Sequence, residues 1–413
     1  MRDIEKWDWE TSEKEILVNK WINDYNWIEE IKVSQDGENI ASIVSTGEAE
    51  FGICVNGELW DESFEKAWSL QFTPSQKLVS LVSNDEEWAV CIDGNSWESK
   101  FDYIWDLKVN SKGVGASVQV DGKYGMVVNG IAWGDLFENI SGTVLNENGD
   151  SAAVVQVDPI SQADIERYNN GIYSVSVNGI LVSEKHTNIW DISFNSTGSE
   201  VAYSIRKNRT DYSIGRNKSI WDNTFQCSWK PVFTNNNEVI APVRKGGKWY
   251  LYKDDKQLWK NNYLQLLNLA VSGDNISVAI SDSYGKWSVS ENDIKWDFRC
   301  DKIISDLFYS DSGKTLIALF KNNKYWDIAV NNKIWGLKAD KLWKPHISDN
   351  EEIITTRMEK DGKYYLVVNG NVHNEGFEMI FEPEISSDSS KILLKVLDMG
   401  VYKRKILPLD QLL

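Results

Sequence analysis

The chain has 413 residues, with 44 Lys and Arg against 62 Asp and Glu, so its formal net charge is −18. This acidic balance argues against broad binding to nucleic acid or anionic membranes, and it suits solubility and basic partners. The four cysteines include no CxxC pair, which argues against a disulfide framework or a zinc knuckle and favours core positions. We expect a soluble cytoplasmic protein without direct membrane insertion, because no secretion signal or long apolar stretch is present.

The first predicted element is a strand in EKEILVNKW at 13–21, which no earlier strand accompanies. From Trp27 onward one arrangement recurs: an aromatic residue, Asn or Asp five positions later, and usually Trp after about four more. The copies in chain order are Phe51/Asn56/Trp60, Trp88/Asp93/Trp97, Tyr124/Asn129/Trp133, Tyr173/Asn178/Val182, Tyr212/Asn217/Trp221, Trp249/Asp254/Trp259, Trp287/Asn292/Trp296, Trp326/Asn331/Trp335 and Tyr364/Asn369/His373. Their spacing of about 38 residues indicates one repeated module.

Each copy predicts four strands and no helix. In the copy at 27–60, alternating apolar residues in EIKV, NIASIV and FGICV are separated by the polar turns QDGE, STGEAE and NGE. The third and fourth strands meet at Asn-Gly, Asp-Gly or a related pair, which favours a two-residue type I′ turn. The sequence therefore predicts a four-stranded antiparallel meander in every copy.

The tryptophans follow the strand phase. Seven end the fourth strand, four open the third strand and six lead the next first strand, and only Trp7, Trp9 and Trp21 remain. Aromatic rings at equivalent positions are what packing between neighbouring blades needs. We therefore interpret the tryptophans as packing residues; the alternative is a lectin-like row of exposed rings that stack on sugars.

These features predict an all-β fold, a β-propeller of about ten four-stranded blades that forms a single domain over 1–413. The predicted repeats are 27–66, 67–103, 104–138, 139–187, 188–226, 227–264, 265–302, 303–340, 341–377 and 378–413. The tenth repeat has Leu407 and Pro408 where the turn is expected, so we expect residues 13–22 to close it as a strand. Two five-bladed propellers are the alternative.

No catalytic template is present. The three histidines, His186, His346 and His373, form no HExxH or HxH motif, and the sequence lacks GxSxG, a Walker loop and a GxGxxG helix context. We predict no catalytic, cofactor-binding or metal-binding residues, no cofactor and no enzyme activity; a carboxylate pair in the central channel is the alternative.

Charge in the loops between second and third strands is uneven. These loops carry Glu48, Glu50, Asp85, Glu86 and Glu87 in the first two copies. The fifth and sixth copies instead carry Arg206, Lys207, Arg209, Arg244, Lys245 and Lys248. An insertion at 157–171, with Asp164, Glu166 and Arg167, projects beside the basic group. Loops on a rigid scaffold often carry function, so we predict a docking surface there, and ordinary solvated loops are the alternative.

The segments SQDGENIAS, NSTGSEVAY and SDSGKTLIA resemble the second-strand entries of WD40-type propellers, although the WD40 His and Asp network is missing. The Trp-rich copies with repeated VNG…W hairpins resemble the tryptophan-rich cytoplasmic subunit of the transmembrane redox complex of sulfate-reducing bacteria. That resemblance implies an accessory subunit beside cytochrome, iron-sulfur and membrane subunits, peripheral at the inner membrane through these partners.

We therefore expect a non-catalytic scaffold that mediates protein-protein interaction, with redox-complex components among its partners. The alternative is a lectin-like or small-ligand-binding propeller that uses Trp-lined clefts or the central channel.

Overall fold

The computed structural model describes residues 4–161 and 164–412. Within these ranges the strands form ten antiparallel sheets, and neighbouring strands follow the chain order except in the tenth sheet, where the N-terminal strand Glu13–Leu17 pairs with the last strand. The predicted all-β propeller of ten four-stranded blades is confirmed. Two compact units organise the chain: one includes blades one, two, nine and ten, and the other includes blades four to seven.

The strands, blade by blade, are Ile28–Val33, Ile40–Gly47, Glu50–Val55, Glu58–Leu59; Lys66–Phe72, Leu78–Asn84, Glu87–Ile92, Asn95–Ser96; Tyr103–Val109, Val114–Val120, Lys123–Val128, Ile131–Ala132; Asn139–Leu145, Ser151–Gln156, Tyr173–Val177, Ile180–Leu181; Asn188–Phe194, Val201–Arg206, Tyr212–Arg216, Ser219–Ile220; Cys227–Ser228, Val232–Phe233, Val239–Lys245, Lys248–Lys253, Lys256–Gln257; Gln265–Ser272, Asn275–Ser283, Lys286–Glu291, Ile294–Lys295; Ile303–Tyr309, Leu316–Asn322, Tyr325–Val330, Lys333–Ile334; Lys341–Leu342, His346–Ile347, Ile354–Lys360, Lys363–Val368, Asn371–Phe377; and Met379–Ile380, Glu384–Ile385, Lys391–Asp398, Val401–Pro408 with Glu13–Leu17. The helices are Asn19–Asp24 and Ile165–Asn169, with 3₁₀ turns at Ile4–Lys6 and Leu409–Gln411. Neither α-helix in the described ranges has the length and hydrophobicity to cross a bilayer.

The repeated Asn or Asp locks each hairpin to its blade. In blade one, Asn56 has φ of 53°, and its Oδ1 accepts a hydrogen bond of 2.9 Å from the backbone N–H of Ile40, where the second strand begins. All nine copies repeat this bond at 2.8 to 3.0 Å. The residue therefore combines a left-handed backbone with a side-chain acceptor, which explains why Asn or Asp occupies the position.

The first strands are irregular, which the repeat pattern did not predict. In blades one and two the ladder shifts register at a bulge, where Glu30 and Ser69 have positive φ. The Glu30 carboxylate accepts hydrogen bonds from the backbone N–H groups of Ser69 and Leu70, at 3.0 and 2.7 Å, and so links the two bulges. In blades six, nine and ten the first strand divides into two segments at Pro231, Pro345 and Pro383, because proline cannot donate to the ladder.

The N-terminal strand closes the last blade as predicted. Glu13–Leu17 pairs antiparallel with Val401–Lys405, so the edge of Val401–Pro408 is covered. Residues 19–22, predicted as part of this strand, instead lie in the helix Asn19–Asp24. In this helix Trp21 is buried, with only 3% of its surface exposed. Its indole nitrogen lies against Gly57 in the hairpin of blade one. Trp21 thus serves as the blade-ending Trp of blade ten.

Trp rings pack in two ways. Rings that lead a first strand pair with the aromatic residue of the third strand in the same blade, as in Trp68 with Trp88 at 4.6 Å and Trp229 with Trp249 at 5.1 Å. Rings that end a blade pack against the next blade, and Trp133 and Trp221 are only 7% and 8% exposed. The tryptophans therefore have the predicted packing role in two forms: those that lead a first strand pack within their blade, and those that end a blade pack against the next blade.

Blades five and six, which belong to the same unit, are joined by hydrogen bonds. Ser193 Oγ donates to the Pro231 carbonyl at 2.7 Å, and Asn195 Nδ2 donates to Asn237 Oδ1 at 3.0 Å. In the other unit, the Tyr402 hydroxyl of blade ten donates to the Gly37 carbonyl of blade one at 2.8 Å. These contacts join neighbouring blades within each unit.

Candidate docking surface

The predicted docking residues lie between second and third strands of three successive blades. Asp164, Glu166 and Arg167 belong to the insertion of blade four. Arg206 ends the second strand of blade five, and Lys207 and Arg209 follow it. Arg244, Lys245 and Lys248 flank the Gly246-Gly247 turn of blade six. We call the insertion and these two loops the docking surface.

The insertion contains a short helix with a side-chain cap. Asp164 precedes Ile165–Asn169, and its Oδ1 accepts the backbone N–H of Arg167 at 3.1 Å. The Arg167 guanidinium lies 3.8 Å from Asp158, whose carboxylate also pairs with Lys185 at 2.6 Å. Asp164 therefore has a structural role, Arg167 is partly neutralised, and Glu166 is exposed.

Thr187 joins the insertion to the loop of blade five. Its hydroxyl is placed to donate to the Asn169 carbonyl at 3.3 Å and to the Lys207 carbonyl at 3.4 Å. Thr187 is only 2% exposed, so this link is shielded from water. The fold therefore brings together the insertion and one basic loop. Sequence reasoning missed Thr187, because its partners are 18 and 20 residues away.

The loop of blade six is held in a similar way. The backbone N–H of Gly247 donates to Gln226 Oε1 at 2.8 Å, and the backbone N–H of Gln226 donates to the Arg244 carbonyl at 2.8 Å. Gln226 follows Phe225, which pairs with Tyr212 at the start of the third strand of blade five. The loop is thus anchored to the segment that enters its own blade.

The six basic residues of blades five and six have no carboxylate partner within the described ranges. Arg206 instead donates to the carbonyls of Asn208 and Arg209 at 3.0 and 2.8 Å, and Lys207 donates to the Trp221 carbonyl at 3.0 Å. Arg209, Arg244 and Lys245 are exposed. These six side chains therefore form a locally basic surface on a chain whose net charge is −18.

Large apolar side chains are also exposed in these loops. Ile165 on the insertion helix is 70% exposed, and Tyr284, in the corresponding loop of blade seven, is 100% exposed. Isolated exposed apolar residues are common, but Ile165 belongs to the docking surface itself. The sequence analysis predicted neither residue as part of the surface. An isoleucine within the otherwise polar insertion could have indicated the exposed position of Ile165.

His186 lies beneath this surface. Its backbone pairs with Tyr173, in the position that Phe64, Phe101, Phe137 and Phe225 occupy in other blades. Burial lowers the pKa of His186, the charge of Lys207 lowers it further, and Glu184 opposes the shift. His186 is therefore a neutral core residue whose ring replaces a phenyl ring.

The acidic loops of blades one and two belong to the other unit. Glu48 lies between Ile40–Gly47 and Glu50–Val55, and Asp85 and Glu86 lie between Leu78–Asn84 and Glu87–Ile92. These residues occupy the same place in their blades as the basic loops do in theirs. The acidic and basic loops therefore occupy equivalent positions in their blades, between the second and third strands, as predicted.

No family model and no curated protein matches the sequence. Among solved structures, one described as the eukaryotic initiation factor is 11% identical, with 86% of this chain and 89% of that chain covered and a TM-score of 0.46. The Dos1 propeller is 12% identical, with coverage of 91% and 90% and a TM-score of 0.34. TolB from Acinetobacter baumannii is 12% identical, with coverage of 73% and 78% and a TM-score of 0.32. The class assigned above, a ten-bladed β-propeller, rests on the sheet topology.

Proposed function

We propose that this chain is a non-catalytic scaffold subunit that binds an acidic protein partner through the docking surface. The observation that carries the proposal is the set of six basic side chains, on adjacent blades, without carboxylate partners within the described ranges. Unpaired cations on one surface attract a negatively charged partner and accelerate its association.

The scaffold provides the rigidity that docking needs. The loop of blade five is fixed by Thr187 and by its own arginine, and the loop of blade six is fixed by Gln226. Loops already held in place lose little conformational entropy when a partner binds. Ile165 supplies an exposed apolar contact beside the charges.

The finer proposal is that the partner belongs to a membrane-associated electron-transfer complex. It is supported by the Trp-rich copies and VNG…W hairpins, which resemble the tryptophan-rich cytoplasmic subunit named above. In this role the propeller contributes an accessory surface, and partner subunits carry the cofactors and the attachment to the membrane.

Lectin-like binding receives less support. Four of the seven Trp residues that end a blade are at most 8% exposed, and Trp27 and Trp229, the most exposed rings that lead a first strand, are 41% and 37% exposed. An extended row of solvent-facing rings, as sugar stacking would need, is not formed by these residues.

Co-purification from native membranes tests the proposal. Charge reversal of Arg206, Lys207, Arg244 and Lys245 to Glu should abolish recovery of redox subunits, because attraction becomes repulsion. The matched control reverses Glu48, Asp85, Glu86 and Glu87 to Lys and should retain the partners. Equal recovery with both variants would contradict the docking surface, and recovery of non-redox partners that depends on the basic loops would contradict only the electron-transfer role.

A further inference from the structure

Six Asn-Gly pairs occur in the chain, at 56–57, 129–130, 148–149, 170–171, 178–179 and 369–370. Asparagine deamidates most readily before glycine, because glycine has no side chain to keep its backbone nitrogen away from the asparagine amide. The reaction requires the asparagine side chain to turn toward that nitrogen. The hydrogen bonds of each amide therefore decide which pairs can react in the folded chain.

Four of these pairs form hairpins, and the fold holds both ends of each amide. Oδ1 accepts the backbone N–H that begins the second strand at 2.8 to 2.9 Å in all four. Nδ2 donates over 2.9 to 3.3 Å to the Glu38, Lys112 and Glu352 carbonyls and, from Asn178, to the Asp150 carboxylate. A turn toward the glycine would break both bonds, so these four asparagines are protected.

Asn170-Gly171, at the end of the insertion, has no such restraint. Asn170 is exposed, and its side chain makes no hydrogen bond within residues 4–161 and 164–412. The Gly171 N–H donates to the Tyr168 carbonyl at 3.1 Å, a bond at the end of the five-residue helix Ile165–Asn169. Short helices are marginally stable and fray at their ends, so only this terminal bond has to open before reaction.

Packing requires glycine at position 171. Its φ is +95°, and a Cβ atom there would lie 2.9 Å from the backbone nitrogen of His186. Other residues would therefore clash and adopt an unfavourable backbone conformation. The residue that makes Asn170 reactive is thus needed for the contact of the insertion with His186.

Asn148-Gly149 is intermediate between these two cases. Asn148 is exposed, and its amide makes no hydrogen bond to any residue that the structure describes. A Cβ atom at Gly198 would lie 3.1 Å from its Nδ2, so the amide lies against this turn of blade five. Asn146 Oδ1 also fixes the local backbone, because it accepts the N–H groups of Asn148 and Asp150 at 3.0 and 2.8 Å.

We infer that Asn170 is a site of spontaneous deamidation on the docking surface. The Gly171 nitrogen attacks Asn170 Cγ, and a five-membered succinimide forms as the bond from Cγ to Nδ2 breaks. Nδ2 leaves as ammonia with the proton of the Gly171 N–H. Water then opens the ring at either carbonyl and gives aspartate or isoaspartate, so water is the only co-reactant and nothing is oxidised or reduced.

The product adds a negative charge beside the basic loop of blade five. The Thr187 hydroxyl is placed to donate to the carbonyls of both Asn169 and Lys207, at 3.3 and 3.4 Å, so Asn170 is next to a residue held close to that loop. The new carboxylate weakens retention of an acidic partner about two- to fivefold, the effect of one exposed charge pair. This consequence rests on the proposed function, whereas the reaction itself does not.

Peptide mapping by mass spectrometry of the full chain, incubated at neutral pH, tests the reaction, with fragmentation to place each site. We expect deamidation fastest at Asn170, slower at Asn148 and slowest at the four hairpins. In urea the six rates should converge, because the protecting bonds are lost. Asn170→Gln should show no product at 170, since glutamine would have to form a six-membered ring. A folded-state rate at Asn170 as low as at the hairpins, or hairpins that stay slow in urea, would overturn the inference.

Co-purification from native membranes tests the consequence. Asn170→Asp should lower recovery of redox subunits, and Asn170→Gln should not. The matched control is Asn148→Asp, which adds the same charge at the opposite end of Ser151–Gln156 and should leave recovery unchanged. If Asn170→Asp keeps the partners while charge reversal of the basic loops removes them, the effect of deamidation is refuted and the proposed function stands. If neither change lowers recovery, the proposed function fails, and the deamidation rates still decide the reaction.

Discussion

Replacement of Asn56 by Ala tests the role of the repeated Asx residue. The substitution removes the acceptor of the Ile40 N–H, a 2.9 Å bond to a residue that is fully buried. An unsatisfied buried N–H costs about 1 to 3 kcal/mol. Alanine must also adopt the φ of 53°, which costs about 1 to 2 kcal/mol for a residue other than Gly, Asn or Asp. We expect a total loss of about 2 to 5 kcal/mol.

Two controls separate these contributions. Asn56→Gly keeps the left-handed backbone but removes the acceptor, so it should lose about 1 to 3 kcal/mol. Asn56→Asp keeps both features, as Asp93 and Asp254 do in their blades, and loses only the donations from Nδ2 to Glu38 and Asn39. It should lose about 1 kcal/mol or less, because these groups are exposed.

The free energy of unfolding of each variant comes from urea titration followed by circular dichroism, with linear extrapolation to water. The predicted order of stability is wild type, Asp, Gly and Ala. Equal stability of the Ala and Asp variants would refute the role of the side-chain acceptor.

Deletion of residues 1–22 should lower the thermal midpoint and promote aggregation, because it exposes the edge of Val401–Pro408; an unchanged midpoint would contradict closure by Glu13–Leu17. The lowered pKa of His186 means that the unfolded chain binds its proton more readily, so wild-type stability should fall as the pH drops below about 6.5. His186→Phe should remove that part of the slope, and identical pH profiles in urea titrations would argue against it. Burial raises the pKa of Cys91 to about 11 and that of Cys300 to about 12, so neither should react with Ellman's reagent at pH 7 until the chain unfolds.

Much of the fold could be predicted because each blade repeats the same local chemistry. Asn56 and its equivalents mark a turn that few other residues can form, and Leu407-Pro408 marks the one repeat that needed a strand from elsewhere. The bulge at Glu30 could not be predicted, because a non-glycine residue with positive φ leaves no compositional signal. The helix Asn19–Asp24 is too short to show helical periodicity.

The candidate sites were predictable to a different degree. The charges of the docking loops were visible in the sequence, but the link through Thr187 depends on contacts between segments that are distant along the chain. The absence of carboxylate partners for the basic residues of blades five and six in the described ranges could not be predicted either, because it depends on where the side chains lie in the fold.

The central claim is that the basic loops of blades five and six contact the partner. Crosslinking of the native complex with a short lysine-reactive reagent, followed by mass spectrometry, tests it most directly. We predict that crosslinks to partner subunits concentrate at Lys207, Lys245 and Lys248, which lie in these loops. Partner crosslinks that instead concentrate at lysines of the other unit, such as Lys77 and Lys391, would contradict the docking surface.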